Sequence, residues 1–349
     1  MLDQPAHIRQ GEELNSENLV AFLKAKGLAS EITIQQFPSG YSNLTYLIQT
    51  SKEDFILRRP PFGANIKSAH DMEREYHVLS LLQNAGFTKV PEPVLFCEEE
   101  DVIGAKFYLM KRVHGVILRN RVPKGMTIDA PTFHQLSRSA IDQLVQLHQL
   151  DVQKTGLHQL GKPEGYVQRQ VEGWTKRYFN AQTDDIAAMN ETAEWMKKNI
   201  PQSTRVSFIH NDYKYDNLVL NADRLTEIKA ILDWEMATVG DPLMDLGTSL
   251  AYWAEANDAD ALKPFNLTWM PGNMTRNEMA QYYSQKSNTP IDDIVFYYAF
   301  GSFKVAVICQ QIYHRYKQGH TQDPRFASLL FVIKACAENA RKAINNLKI

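Results

Sequence analysis

FIHNDYKYDN, residues 208–217, starts as an apolar strand and runs directly into a dense set of polar groups. Phe208 and Ile209 suit the end of a short buried strand. His210, Asp212, Lys214, Asp216 and Asn217 follow at once. A surface loop rarely opens on Phe-Ile, and a core strand does not carry two carboxylates, a lysine and an amide. Asp212 can accept a proton or orient a hydroxyl. Asn217, five residues later, offers a neutral oxygen suited to a hard cation such as magnesium. Lys214 is a compact positive charge suited to a phosphate. His210 more often braces such a loop than acts as a base, and Asp, Asn and Gly after a strand are ordinary turn formers.

Two further clusters accompany this stretch. In ILDWEMATVGDPLMDLG, residues 231–247, an apolar strand ends on Asp233. The intervening NADRLTE is turn-rich, so NLVL (217–220) and KAIL (229–232) are expected to lie side by side. That pairing would bring Asn217 and Asp233 together as two oxygen ligands for magnesium. Asp241 and Pro242 read as a helix cap and first helical position, and Asp245 as a brace for the loop carrying His210. Nearer the start, SGYSNLTYLI (39–48) joins two strands through small polar residues whose backbone N–H groups can face phosphates. Arg58 in FILRR and Glu75 in REYHVLSLL form a candidate ion pair aimed at a nucleotide. Each cluster alone also fits an ordinary turn or a surface salt bridge; order and combination carry the reading.

The length of 349 residues fits two domains or one long two-part domain. A net charge of −2 gives no electrostatic case for nucleic acid or an anionic membrane. Cys97, Cys309 and Cys336 lie far apart without CxxC spacing, which excludes a four-thiolate zinc site and a disulfide framework. The N-terminal MLDQPAHIRQGEEL lacks the apolar core of a signal peptide, and no apolar run is long enough to span a bilayer. A cytoplasmic protein in a reducing compartment is expected. The oligomeric state is not readable.

Along the chain, SENLVAFLKAKG (16–27) is expected to form a helix capped by Ser16. Strands follow at EITIQQF, LTYLIQT and DFILRR, then a helix at SAHDMEREYHVLSLLQNAG, then strands at PVLFCEE and KFYLMKRV. Helices are expected at about 132–150, 165–180, 185–199, 243–256, 276–286, 291–317 and 323–346. Strands first and helices later indicate an α+β fold: a small antiparallel-sheet lobe with one helix (1–110), a hinge (111–115), and a larger, mainly helical lobe (116–349).

The order of these motifs resembles the aminoglycoside phosphotransferase and choline kinase-like family of the protein-kinase-like superfamily. His210, Asp212 and Asn217 match its His-x-Asp-x-x-x-x-Asn loop. Asp233 matches its metal-binding Asp, and Gly240, Asp241, Pro242, Asp245 and Leu246 match its Gly-Asp-Pro-x-x-Asp-Leu segment. LRRPPFG, SAHDMEREYHVLSLL, VIGAKFYLMKRVHGVIL and DWEMATVGDPLMDLG are similar to the kinase-like domain found fused to acyl-CoA dehydrogenases. The resemblance implies a protein-kinase-like fold and ATP- and Mg2+-dependent phosphorylation of a small-molecule hydroxyl. It implies adenine bonded near Met110–Val113, including Lys111 and Val113, and α/β-phosphates held by Arg58 with Glu75. Ser42 and Asn43 would cover the phosphates, and magnesium would sit on Asn217 and Asp233. Asp212 would orient the acceptor, with Lys214 near the transferring phosphate. The chain departs from the pattern in lacking Gly-x-Gly-x-x-Gly and in placing Arg58 where relatives have Lys. Its acceptor is expected to be a hydroxylated acid or acyl-CoA. The alternatives are an aminoglycoside or amino-alcohol kinase and a nucleotide-binding pseudokinase or scaffold.

Overall fold

The computed structural model describes residues 4–38, 43–62, 71–321 and 323–349. The chain forms two compact units. One comprises Met1–Ile117, Val219–Arg224 and Ile228–Glu235; the other comprises Leu118–Leu218, Leu225–Glu227 and Met236–Ile349. Strands gather in the first and helices in the second, as an α+β chain should.

The first unit opens with α1 (Ser16–Ala25), then β1 (Thr33–Gln36), β2 (Leu44–Gln49), β3 (Asp54–Arg59), α2 (Met72–Asn84), β4 (Pro93–Cys97) and β5 (Phe107–Lys111). The cap of α1 is Asn15, whose side chain accepts from Asn18 N at 3.0 Å; Ser16 is already helical, which corrects the expected cap. Asn and Ser cap about equally well, so the choice falls to whichever holds the extended backbone. The five strands run antiparallel in the order β1-β2-β3-β5-β4. Strand alternation divides their side chains between two faces. Tyr46, Ile48, Phe55, Leu57, Phe107 and Leu109 pack with Leu19 and Leu23 of α1. Arg58, one residue out of phase with Leu57, turns to the other side, where α2 lies along β4 and β5.

The second unit carries α3 (Ala130–His148), α4 (Tyr166–Ala181), α5 (Ala187–Lys198) and β6 (Ser207–Ile209). Next come β7 (Leu218–Leu220) and β8 (Ile228–Ile231), which pair as the turn-rich linker predicts and belong mostly to the first unit. β9 (Thr238–Gly240), α6 (Pro242–Tyr252), α7 (Arg276–Ser287), α8 (Ile294–Lys317) and α9 (Leu329–Asn346) complete the order. β9, which the sequence did not signal, pairs antiparallel with β6, Phe208 facing Val239. The helix expected at 323–346 begins only at Leu329, after a 3-10 turn over Pro324–Ser328.

Every residue of α6 is buried, so it shows no polar face. It crosses α8 closely at two glycines: a Cβ on Gly247 would overlap the Tyr297 backbone, and one on Gly301 would overlap the Gly247 carbonyl. That approach sets Asp245, before Gly247, and Lys304, after Gly301, around the end of β6. No described helix is long and apolar enough to cross a membrane.

Candidate functional site

In the first unit one guanidinium joins two carboxylates. Arg58 Nη2 lies 3.3 Å from Glu75 Oε1 and 3.3 Å from Asp233 Oδ1. Glu75 reaches it from the first turns of α2, a helix whose start is fixed by Asp71 accepting from Arg74 N at 3.0 Å. Glu75 is buried and the Arg58 side chain is 11% exposed, whereas 34% of the Asp233 side chain is exposed. Burial pushes the Glu75 carboxyl up, and Arg58 only partly opposes it. Burial acts to lower the Arg58 pKa, but Glu75, then Tyr108, Asp233 and Glu235 more than offset it, so Arg58 stays charged. Tyr108 faces Arg58 in the β3–β5 register. Among the described residues, Arg58 Nε and Glu75 Oε2 have no hydrogen-bond partner. Such atoms each cost about 1–3 kcal/mol, so the pair keeps a donor in reserve.

The other nucleotide candidates fall differently. Asn43 is buried and donates from Nδ2 to Glu235 Oε2 at 3.0 Å. Glu235 is thus tied to a residue far off in sequence. Ser42 lies outside the described residues. Lys111 points its ammonium at Glu92 (3.0 Å) and Glu53 (3.9 Å), and its N–H donates to Glu92 O at 2.8 Å. Arg112 N–H donates to Asp54 O at 3.0 Å. Val113 is half-buried.

In the second unit a carboxylate is surrounded by donors. Asp212 Oδ2 accepts from Lys214 Nζ at 2.8 Å and from Asn217 Nδ2 at 3.0 Å. Asn217 Nδ2 also donates to Asp212 O at 2.9 Å. Burial raises the Asp212 carboxyl, but Lys214, then His210 and Lys304, outweigh it and hold it below the usual carboxylate range. Lys214 sits 4.6 Å from the Tyr252 ring centroid, a cation–π contact.

The backbone of this loop is bound residue by residue. His210 N donates to Asp245 Oδ2 at 2.7 Å, Asn211 N to Asp245 Oδ1 at 2.7 Å, and Asp212 N to His210 Nδ1 at 3.2 Å. Asp245 and Asp241 therefore do what the sequence leads one to expect, the latter accepting from Leu243 N at 2.8 Å. Asp245 is fully buried; burial raises its carboxyl, but the bond from His148 and the nearby histidines bring it below its usual range. His148 Nε2 lies 3.1 Å from Asp245 Oδ2 and Nδ1 lies 2.7 Å from the Tyr283 hydroxyl. Since the carboxylate can only accept, the proton is assigned to Nε2. Asn211 has φ 67°, in the left-handed region. Its Nδ2 donates to Tyr166 Oη and Met236 O, both at 3.1 Å, and its carbonyl accepts from Lys304 Nζ at 2.7 Å. The sequence did not single out His148, Tyr166 or Lys304 for any role; a lysine inside the apolar run FGSFKVAV was the one available signal.

Asn217 belongs to the second unit and Asp233 to the first. Each fits magnesium chemically. The two bonds donated by Asn217 Nδ2 fix its amide so that the carbonyl oxygen is left for a hard cation, and Asp233 offers a partly exposed carboxylate.

A family model described as the phosphotransferase enzyme family matches residues 33–276. The acyl-CoA dehydrogenase family member 11 of Gallus gallus is 34% identical over 316 residues, covering 89% of this chain and 40% of that protein. The chain thus spans about two fifths of that relative's length. A solved Ralstonia eutropha JMP134 protein, described as a candidate aminoglycoside phosphotransferase, has a TM-score of 0.81 at 29% identity, covering 96% of this chain and 99% of that one. Spectinomycin phosphotransferase, solved with ADP and spectinomycin, shares the fold at a TM-score of 0.61 and 16% identity, covering 95% of this chain and 98% of that one. The residue spacing of the 208–217 loop, a charge-paired sheet and helix, and a family match over most of the chain agree: it belongs to the phosphotransferase enzyme family.

Proposed function

We propose that the chain transfers the γ-phosphoryl group of ATP, in the presence of magnesium, to a hydroxyl of a small molecule, with a hydroxylated acid or its CoA thioester as the favoured acceptor class. The observation that carries this reading is Asp212, kept ionised though its side chain is only 13% exposed, and held by Lys214 and Asn217. In a loose transition state, positioning and charge neutralisation supply most of the rate. Asp212 orients the acceptor hydroxyl and takes its proton late. Lys214 supplies charge beside the transferring phosphate. Arg58, aimed by Glu75, forks to the α/β-phosphates. Val113 is the adenine-facing backbone candidate, because the N–H groups of Lys111 and Arg112 are committed to Glu92 and Asp54. Magnesium, held by Asn217 and Asp233, would supply neutralisation of the β/γ-phosphate charge.

The acceptor class follows from two supports. The relatives named as acyl-CoA dehydrogenases point to acyl compounds. The acidic residues that a polycationic aminoglycoside would need are already engaged: Glu255 and Asp258 pair with the buried Arg276, and Asp260 lies 2.6 Å from Lys263.

ADP release should be measured against a panel of hydroxy acids, hydroxyacyl-CoA thioesters, aminoglycosides and choline, with product mass showing phosphoryl addition. Asp212→Ala is expected to lower turnover at least about 1,000-fold while nucleotide affinity changes little. Unchanged turnover in that variant sinks the assignment.

One observation favours a second reading, a nucleotide-binding pseudokinase: Arg58 is bonded to Asp233, the carboxylate assigned to magnesium. Magnesium-dependent ADP release by the wild type, lost in Asp233→Asn, decides for the enzyme.

A further inference from the structure

The catalytic-loop peptide between Asn211 and Asp212 is gripped at both ends. Its N–H goes to His210 Nδ1 at 3.2 Å and its carbonyl to Lys304 Nζ at 2.7 Å. Lys304 comes from α8, 93 residues further along the chain, and only 2% of it is exposed. Burying a lysine is costly unless it has work to do. Its ammonium lies 5.7 Å from the Trp174 ring centroid, and Asn211 Oδ1 is a second acceptor at 3.4 Å. Asn211 is the residue held at φ 67°. A left-handed non-glycine residue costs of order 1–3 kcal/mol and persists only when its surroundings fix it. Asp245 fixes its N–H, Tyr166 and Met236 its side chain, and Lys304 its carbonyl.

We propose that Lys304 is a positioning residue for phosphoryl transfer, clamping the Asn211 carbonyl so that the left-handed turn delivers the Asp212 carboxylate to the acceptor hydroxyl. The inference rests on the reading of Asp212 as the catalytic carboxylate. Lys304 makes no bond to Asp212 itself; it acts through the one peptide that sets where Asp212 begins. Its positive charge adds a smaller effect, helping to keep Asp212 ionised. Facing Lys304 are Asp245 and Asp212, which favour its charged form, and Lys214 and Arg177, which oppose it. Burial dominates and lowers its pKa to about 8. The clamp is therefore mostly charged at neutral pH and loses its proton as the pH rises through about 8.

The test compares wild type, Lys304→Met, Lys304→Arg and Asp212→Ala for ADP release, together with crystal structures of the wild type and Lys304→Met. Lys304→Met is expected to lower kcat on the order of 100-fold, the cost of misplacing a reacting group by about an ångström, with KM for ATP changing less than about threefold. Asn211 should leave the left-handed region in its structure. Lys304→Arg should recover much of kcat and remove the alkaline decline expected of the wild type above about pH 8. A Lys304→Met enzyme with wild-type kcat, an unchanged Asn211 in its structure, or an alkaline limb identical in Lys304→Arg overturns the proposal. Asp212→Ala separates the two readings. If it is inactive while Lys304→Met is fully active, only the Lys304 inference falls; if it turns over like wild type, the functional reading falls first. If Lys304→Met does not fold, the alkaline limb of Lys304→Arg decides.

Discussion

Asp233 and Asn211 share a backbone value, φ 67°, but are held in opposite ways. Around Asn211 nearly every polar atom is spoken for, by Asp245, Tyr166, Met236 and Lys304. The side chain of Asp233 is partly exposed and is paired with Arg58 at 3.3 Å. The charge arrangement is inverted as well. In the first unit a half-buried cation, Arg58, bridges carboxylates; in the loop of the second unit a carboxylate, Asp212, is held by a cation, Lys214. The difference teaches what each region is built to do. A group that keeps its place through turnover is over-determined. On the proposed function, Asp233 would exchange its resting partner Arg58 for ligand, and it is tethered by a single 3.3 Å ion pair.

The comparison breaks first at Asp245, the brace of the rigid region. Asp245→Ala leaves two backbone N–H groups and His148 without their acceptor, all of them buried. A loss of about 5 kcal/mol is expected in urea unfolding, the upper range for disrupting a buried charged network. A loss below about 1 kcal/mol would show that the loop is held elsewhere. The light region should yield less. Arg58→Met strands Glu75, whose carboxyl is already raised by burial. Without the guanidinium its folded pKa rises further above the unfolded value, so the folded state binds the proton more tightly. The destabilisation, about 3 kcal/mol at pH 8, should therefore shrink as pH falls and Glu75 protonates. Arg58→Lys should recover part of it. A penalty independent of pH between about 5 and 8 would mean that Glu75 does not sense Arg58.

Much of both regions was legible, and the reason is local. The spacing of His210, Asp212 and Asn217, the cap at Asp241 and the alternation that places Arg58 opposite Phe55 and Leu57 all lie within a few residues. Asp245 could be assigned as a brace because it sits in a recognisable segment with Gly240 and Pro242. What escaped is long-range. Nothing in the pattern links Lys304 to Asn211, or Asn43 to Glu235, 192 residues apart. A single lysine in an apolar run is ambiguous, since its stem can carry the charge out to water; here α8 is buried against α6 at Gly301 and no such route is taken. β9 was missed because three residues ending on the glycine of Gly-Asp-Pro give no period, and its partner β6 is equally short. Nothing in the sequence pairs Glu255 and Asp258 with a partner; only the fold shows that Arg276 claims both.

The smallest expected effect refines the light side of the comparison. Asn43 stands just before β2, and its amide donates to Glu235, two residues beyond Asp233. If this bond is one of the few ties on the segment carrying Asp233, then Asn43→Ala should cost only about 1 kcal/mol, since Glu235 is half-buried and can regain water. The segment would loosen, and the KM for ATP would rise about threefold as magnesium loses a settled ligand, with kcat nearly unchanged. If Asn43 instead covers the phosphates directly, the balance reverses: stability stays within about 0.5 kcal/mol and the KM for ATP rises about tenfold or more, the worth of a hydrogen bond to a charged group. Glu235→Gln separates the two. It keeps an oxygen that can accept from Asn43, so a tether survives it. A phosphate contact made by Asn43 does not depend on the charge at Glu235 except through repulsion of the nucleotide, and removing that charge should then lower the KM. Opposite signs of the Asn43→Ala and Glu235→Gln effects on KM would therefore mark a phosphate contact, and a neutral Glu235→Gln beside a threefold rise for Asn43→Ala would mark a tether.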